Sequence, residues 1–207
     1  MNIPVASVLV LIFILWLNYE IKKNNKASKS SLDHFWQKEK DANLTRRQDI
    51  SALKYLSVSL ETLPMGDHED DTLNSYRDMI RNYANRKMIN LSGLTNTDLK
   101  LMYGVANFHL LSEYDNNYTA FISMLQKWAK RLYDRGYEKE AQAVLEFSIF
   151  SCLTDVTLAY LLLAELYQKQ GQPQKRNELI DIIPQTKIKD KEKLMEELNS
   201  KDYAMKR

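Results

Sequence analysis

An apolar run near the N-terminus constrains this chain more than any other feature. From Ile3 to Leu17 only Pro4 and Ser7 interrupt a series of Val, Leu, Ile, Phe, Ala and Trp. Counted on to Ile21 the stretch has 19 residues. As a helix it would be about 28 Å long, close to the ~30 Å hydrocarbon core of a bilayer. Pro4 falls in the first turn, where its missing N–H costs little. Trp16 and Tyr19 sit at the far edge, where amphipathic rings favour the lipid–water interface. A cleaved signal peptide would need a basic segment before the core and small residues after it. No Lys or Arg precedes this core, and Asn18, Tyr19 and Glu20 follow it. The expectation is an uncleaved, single-pass transmembrane anchor over residues 1–21. Lys22, Lys23, Lys26 and Lys29 come directly after it. Positive flanks stay on the cytoplasmic side, which places the N-terminus outside and the body in the cytoplasm.

The rest of the chain has room for one further domain, since 207 residues exceed the anchor by about one domain length. Hydrophobic residues make up 44% and charged residues 27%, a balance that suits a folded chain. Five Gly and four Pro are too few for a turn-rich all-β fold. A net charge of +2 gives no bulk signal for nucleic-acid binding, and no nucleic-acid partner is expected. The single cysteine, Cys152, cannot form an internal disulfide, and its apolar neighbours predict a buried, inert thiol.

Periodicity predicts an all-α body. Residues 22–31 are rich in Lys, Asn and Ser and read as a linker. Residues 32–66 read as a membrane-proximal helix, with Leu32, Phe35 and Trp36 on one face, followed by an extended segment near Asp49–Pro64. Residues 67–207 read as a helical domain. Its first helix is preceded by Asp67-His68-Glu69-Asp70-Asp71, acidic residues suited to a helix N-terminus, with Asp71 or Thr72 as cap. Thr95-x-x-Asp98 resembles a capping box. Helices are then expected over Thr97–Tyr114 and from Tyr118 to Gly136, a natural C-cap. The next is marked by Ala141, Val144, Leu145 and Ile149. Asp155 is expected to cap Val156–Gln170, which is apolar on nearly all sides and must be covered on two faces. Gly171 stops that helix and Pro173 starts another. Leu194, Met195 and Leu198 form the inner face of a last, charged helix.

Within this body the stretch Ala129–Leu132–Gly136–Ala141–Leu145 recurs loosely as Ala164–Tyr167–Gly171–Arg176–Ile180. The two glycines are 35 residues apart, within one of the tetratricopeptide period. Trp128-Ala129, Tyr133-x-x-Gly136 and Glu140-Ala141, then Tyr160, Leu163-Ala164 and Tyr167-x-x-x-Gly171, resemble tetratricopeptide repeats. Arg176 stands where the later unit would have a small residue. The resemblance implies a stack of antiparallel helical hairpins with a concave face lined by the first helix of each unit. Carried onto this chain, it names Gln126, Lys130, Tyr133, Asp134, Glu165, Gln168 and Lys169 as the partner-binding groove. The segments Asn96-Thr97-Asp98-Leu99-Lys100 and Tyr103-Gly104 also resemble uncharacterised single-pass membrane proteins of anaerobic Gram-positive bacteria, a resemblance that implies no activity.

Catalytic signatures are absent. The chain has no Gly-rich phosphate loop, His-Glu-x-x-His, Gly-x-Ser-x-Gly or Cys-x-x-Cys. His34, His68 and His109 have no matching ligand or nucleophile nearby in sequence, and His109 reads as a core or boundary residue. The expectation is therefore a membrane-tethered adaptor or scaffold for a protein or peptide partner, with no catalytic residue, metal or cofactor and no small-molecule substrate. The alternatives are an enzyme whose carboxylate–histidine site, drawn from Asp67–Asp71 with His68 or His109, assembles only on folding, and a permanent structural subunit of an envelope or sporulation complex.

Overall fold

The computed structural model describes residues 3–200, with the side chains of 3–7 and 24–28 outside the description. Among the described residues there are eight α-helices and no strand. The chain is all-α, as its periodicity predicts. Helix α1 runs unbroken over Ile3–Leu44, so the stretch expected as a linker is helical in its backbone. Residues 22–31 contain neither Gly nor Pro, and extending an existing helix fixes one residue per added bond, without a new nucleus. Every residue from Val8 to Leu17 is a large apolar side chain between 42% and 70% exposed. Among the described residues, however, no helix is long and apolar enough to cross a membrane. Residues 3–7, which begin the expected span, lie outside the described side chains.

The chain divides into two compact units. One comprises Met1–Ile50 with Thr95–His109, the other Ser51–Leu94 with Leu110–Arg207. The division cuts the chain differently from the sequence-based boundary at residue 66, because the segment 95–109 returns to α1. In the first unit the end of α1 is held to α3 (Asn96–Tyr103) by polar contacts. Lys38 Nζ donates to Asp98 Oδ1 at 2.8 Å, Thr97 Oγ1 to Glu39 Oε2 at 2.7 Å, and Lys100 also pairs with Glu39. The Thr95–Asp98 capping box is formed, with Asp98 N donating to Thr95 Oγ1 and Thr95 N to Asp98 Oδ2. Gly104 (φ 82°) ends α3, and a Cβ there would stand 2.4 Å from the Arg46 carbonyl oxygen. Only glycine allows that approach. Buried Asn107 then donates to the carbonyls of Gln48 and Tyr103, both at 2.7 Å. Helix α4 (Val105–Asp134) continues through Asp115-Asn116-Asn117, where the sequence suggested a turn. The break falls at the glycine instead. His109 is exposed, not a core residue.

The second unit contains the main core. After an irregular segment with a short 3-10 turn at Leu60–Thr62, α2 spans Asp71–Ala84. Its cap is Asp70, whose side chain accepts from Thr72 N at 2.9 Å. The second half of α4 leads into α5 (Glu138–Glu146), a π-helical turn at Phe147–Ser151, α6 (Thr157–Lys169), α7 (Pro173–Ile182) and α8 (Lys191–Asn199). Helix α6 packs against α5, α7 and α8, and Tyr160, Leu163, Ala164, Leu166 and Tyr167 are all buried. Its cap position is Val156, without a side-chain bond. Thr154 Oγ1 accepts from Val156 N at 3.3 Å, and Asp155 faces solvent. Leu194 and Leu198 are buried in the core, and Met195, partly buried, packs against it, so the three form the inner face of α8 as expected. Burial pushes the Cys152 thiol up to about 12, so the thiol stays protonated at neutral pH.

Candidate partner-binding site

Local chain geometry repeats at the two glycines. Gly136 (φ 83°) donates to the Tyr133 carbonyl while Tyr137 N donates to that of Leu132. Gly171 (φ 64°) and Gln172 do the same with Gln168 and Tyr167. Each pair of bonds is a Schellman cap, which satisfies the last carbonyls of a helix and requires a left-handed residue after it. Ala129 and Ala164, seven residues before each glycine, are both buried. Gln142, about one turn into α5, is buried too, and bonds Glu146 at 2.8 Å and Gln172 at 3.5 Å.

Of the seven sequence-derived groove residues, three come together. Tyr133 on α4 donates its hydroxyl to Glu165 on α6, and Lys169, one turn further along α6, donates to the same tyrosine oxygen. Lys169 Nζ also stands 3.3 Å from Glu165 and 3.6 Å from Glu138, and 4.5 Å from the centre of the Tyr133 ring. The hydrogen bond to Tyr133, with a smaller contribution from Glu165, holds the Lys169 ammonium above its usual range despite some desolvation. The other four go elsewhere. Lys130 and Asp134 pair with each other along the exposed side of α4. Gln126 is half-buried and donates to Ser148 Oγ at 3.2 Å. Gln168 is exposed and borders a cleft of about 520 Å³ with Arg176 and Asn199. Glu138 belongs to the Tyr133 cluster and was not singled out in the sequence, although its place two residues after a turn glycine could have suggested it.

A second polar cluster was also not anticipated. Glu146 accepts from Tyr167 at 2.9 Å and from Gln142 and Lys175 at 2.8 and 3.2 Å. Partial burial alone would raise its carboxyl, but these hydrogen bonds outweigh it and lower the pKa.

The acidic run before α2 disperses on folding. Asp67 pairs with Arg77, and Asp70 with Arg131 and Arg135 at 2.6 Å each. His68 Nε2 lies 2.7 Å from Glu140 Oε2, beside a cleft of about 500 Å³ that Tyr137 also lines. The His68 side chain is only 5% exposed, and its ring meets Tyr137 edge-on. Asn74 grips the His68 backbone with two hydrogen bonds, of 2.9 and 2.7 Å. Among the described residues no three His, Cys, Asp or Glu side chains converge to hold a metal. No protein-family model matches the chain, and comparison with curated proteins and with solved structures likewise gives no match.

Proposed function

We propose that this chain is a membrane-tethered protein–protein interaction module. Residues 3–21 serve as a single-pass anchor with the N-terminus outside, and the helical body works in the cytoplasm as a tetratricopeptide-like scaffold. The observation that carries this reading is the surface of α1. Ten consecutive large apolar side chains, Val8–Leu17, stand exposed around the whole circumference of a helix. In water such a surface costs roughly 25 cal/mol for each Å² that could be removed from it. Lipid is the solvent that suits a helix apolar on every side. Ile3, Val5 and Ala6 would extend the run, and Lys22 and Lys23 would anchor its cytoplasmic end.

The paired Schellman caps and the buried Ala129 and Ala164 support the repeat reading. Tyr133, Glu165 and Lys169 support the groove: they join α4 to α6 on a half-exposed face and put one aromatic ring among fixed charges. An aromatic residue held in this way is a suitable anchor for a partner. Tethering raises the effective concentration of the domain for membrane-bound partners.

Two experiments test the proposal. Affinity purification from solubilised membranes, with the parent, Tyr133→Ala and the Lys130→Glu/Glu165→Lys pair, should recover a protein partner with the parent only. Equal recovery with all three, with helicity unchanged by circular dichroism, would place the binding surface elsewhere. For topology, alkaline phosphatase fused after Arg207 should be inactive; high activity would reverse the orientation.

A further inference from the structure

The wall that joins α5 to α6 is unusual in three respects. The helix ends in a π-helical turn, Phe147–Ser151, with Cys152 N donating to the Phe147 carbonyl at 3.1 Å. Leu153 then takes a left-handed conformation, φ 56°, the one positive φ among described non-glycine residues. For a residue with a Cβ this conformation is strained. Burial gives nothing back, because Leu153 is 68% exposed. The surroundings hold it there. Tyr118 donates to the Cys152 carbonyl at 3.0 Å, Asn90 donates to Tyr118 at 2.9 Å, and Tyr160 donates to the Thr154 carbonyl at 3.0 Å. π-turns and over-determined strain of this kind concentrate at binding sites.

These features frame a cavity of about 470 Å³, within the size range of small-molecule sites. Ile149, Phe150, Leu153 and Ile182 give it apolar walls, and Phe150 and Leu153 keep much of their surface exposed. Among the described residues, the charged ones that line it are Lys54 and Lys187. Lys187 Nζ donates to the Ser92 carbonyl at 2.9 Å, which fixes its ammonium without neutralising it. Asp155, which does not line the cavity, is exposed, and its charge acts on the hydroxyls of Tyr118 and of Tyr160, the latter a lining residue.

The geometry points to a binding site for an amphipathic carboxylate, a medium-chain aliphatic acid whose chain lies against Ile149, Leu153 and Ile182 and whose head meets Lys54 and Lys187. Apolar walls without charge suit the chain, and two cations without a lining acid select an anionic head over a cationic one. This inference is independent of the Tyr133 groove.

The test uses the full chain in phosphatidylcholine nanodiscs and an octanoate carrying a diazirine at its methyl end. Photolabelling followed by peptide mapping should place the adduct within 149–153 or at Ile182, and unlabelled decanoate should compete. The matched amine probe should label these peptides about tenfold less, the loss expected when a charge-assisted contact is removed. Lys54→Glu/Lys187→Glu should reverse that preference. Leu153→Gly removes a wall and accepts a positive φ, so it should weaken labelling while the thermal midpoint stays or rises. Absence of label from these peptides in the parent would overturn the site, and so would equal labelling by the acid and amine probes.

Discussion

The chain has two helical stretches that are apolar on nearly all sides, and they meet opposite fates. Val156–Gln170 becomes α6, which packs against α5, α7 and α8 and buries Tyr160, Leu162, Leu163, Leu166 and Tyr167, while Leu158 stays exposed. Val8–Leu17 becomes the first part of α1, and nothing among the described residues covers it. Composition alone does not separate them. What differs is the sequence on either side. Helix α6 lies between α5 and α7, and its short connection to α7 opens with the Gly171 cap. The apolar part of α1 is followed by Lys22, Lys23 and a polar run with no apolar stripe to fold back on it. A helix apolar on most of its faces needs cover; α6 finds it within the chain, and α1, in the function proposed above, finds it in lipid.

The largest expected effect would break this comparison at α1. Leu11→Arg with Phe13→Arg puts two charges near the middle of 3–21, where each costs about 2.5–3.5 kcal/mol in a bilayer. The variant should move from the carbonate-washed membrane pellet to the soluble fraction. If it still pellets with membranes, α1 is not what holds the chain there.

Next comes a matched truncation. Leu163→Ala removes a fully buried side chain from α6, and thermal or urea unfolding of the body should register a loss of about 2–5 kcal/mol. Leu11→Ala removes an exposed one and should change that same transition by no more than about 0.5 kcal/mol. Equal losses would mean that α1 is covered by protein after all.

Ala129→Trp and Ala164→Trp sharpen the internal repeat. Both alanines are buried at corresponding places before a glycine cap. Overpacking each should cost about 1–3 kcal/mol. Similar losses would support equivalent helix contacts in the two units, whereas a tolerant Ala164 would shift the register of the second.

Much of the fold was legible because it rests on local chemistry. Gly136 and Gly171 marked their turns, Pro173 marked a helix start, and Thr95-x-x-Asp98 formed its box. The failures have a common physical cause, in that tertiary contact decided them. Gly104 ends a helix because Arg46 packs against it, and the polar run 115–117 stays helical within α4. Of the seven groove residues named from the tetratricopeptide resemblance, three lie together. Tyr133, Glu165 and Lys169 meet, but Gln126 turns toward Ser148, and Lys130 pairs with Asp134 on its own helix. The His68–Glu140 contact spans 72 residues, and no local pattern announces it.

The smallest expected effect concerns the charged boundary of the body, where α2 meets the end of α4. Partial burial would by itself raise the Asp70 carboxyl, but hydrogen bonds from Arg131, Thr72 N and Arg135 outweigh it and hold the pKa down at about 2. An unfolded aspartate titrates near 3.9. With the folded value depressed, Asp70 binds its proton less readily in the native state, so its contribution is fully present above about pH 4. That contribution is lost as pH falls through about 2, because protonation then removes the charge that Arg131 and Arg135 face. The body should therefore lose stability between about pH 4 and pH 2, and Asp70→Asn should show a shallower fall in that window. Asparagine is also a good cap, so the helix start is kept while the charge is removed. Thermal midpoints of the parent and Asp70→Asn, measured from pH 5 down to pH 2, should converge as pH falls. Parallel curves would show that Asp70 contributes only as a cap, and the ion pairs at this boundary would then have no measurable part in holding α2 to α4.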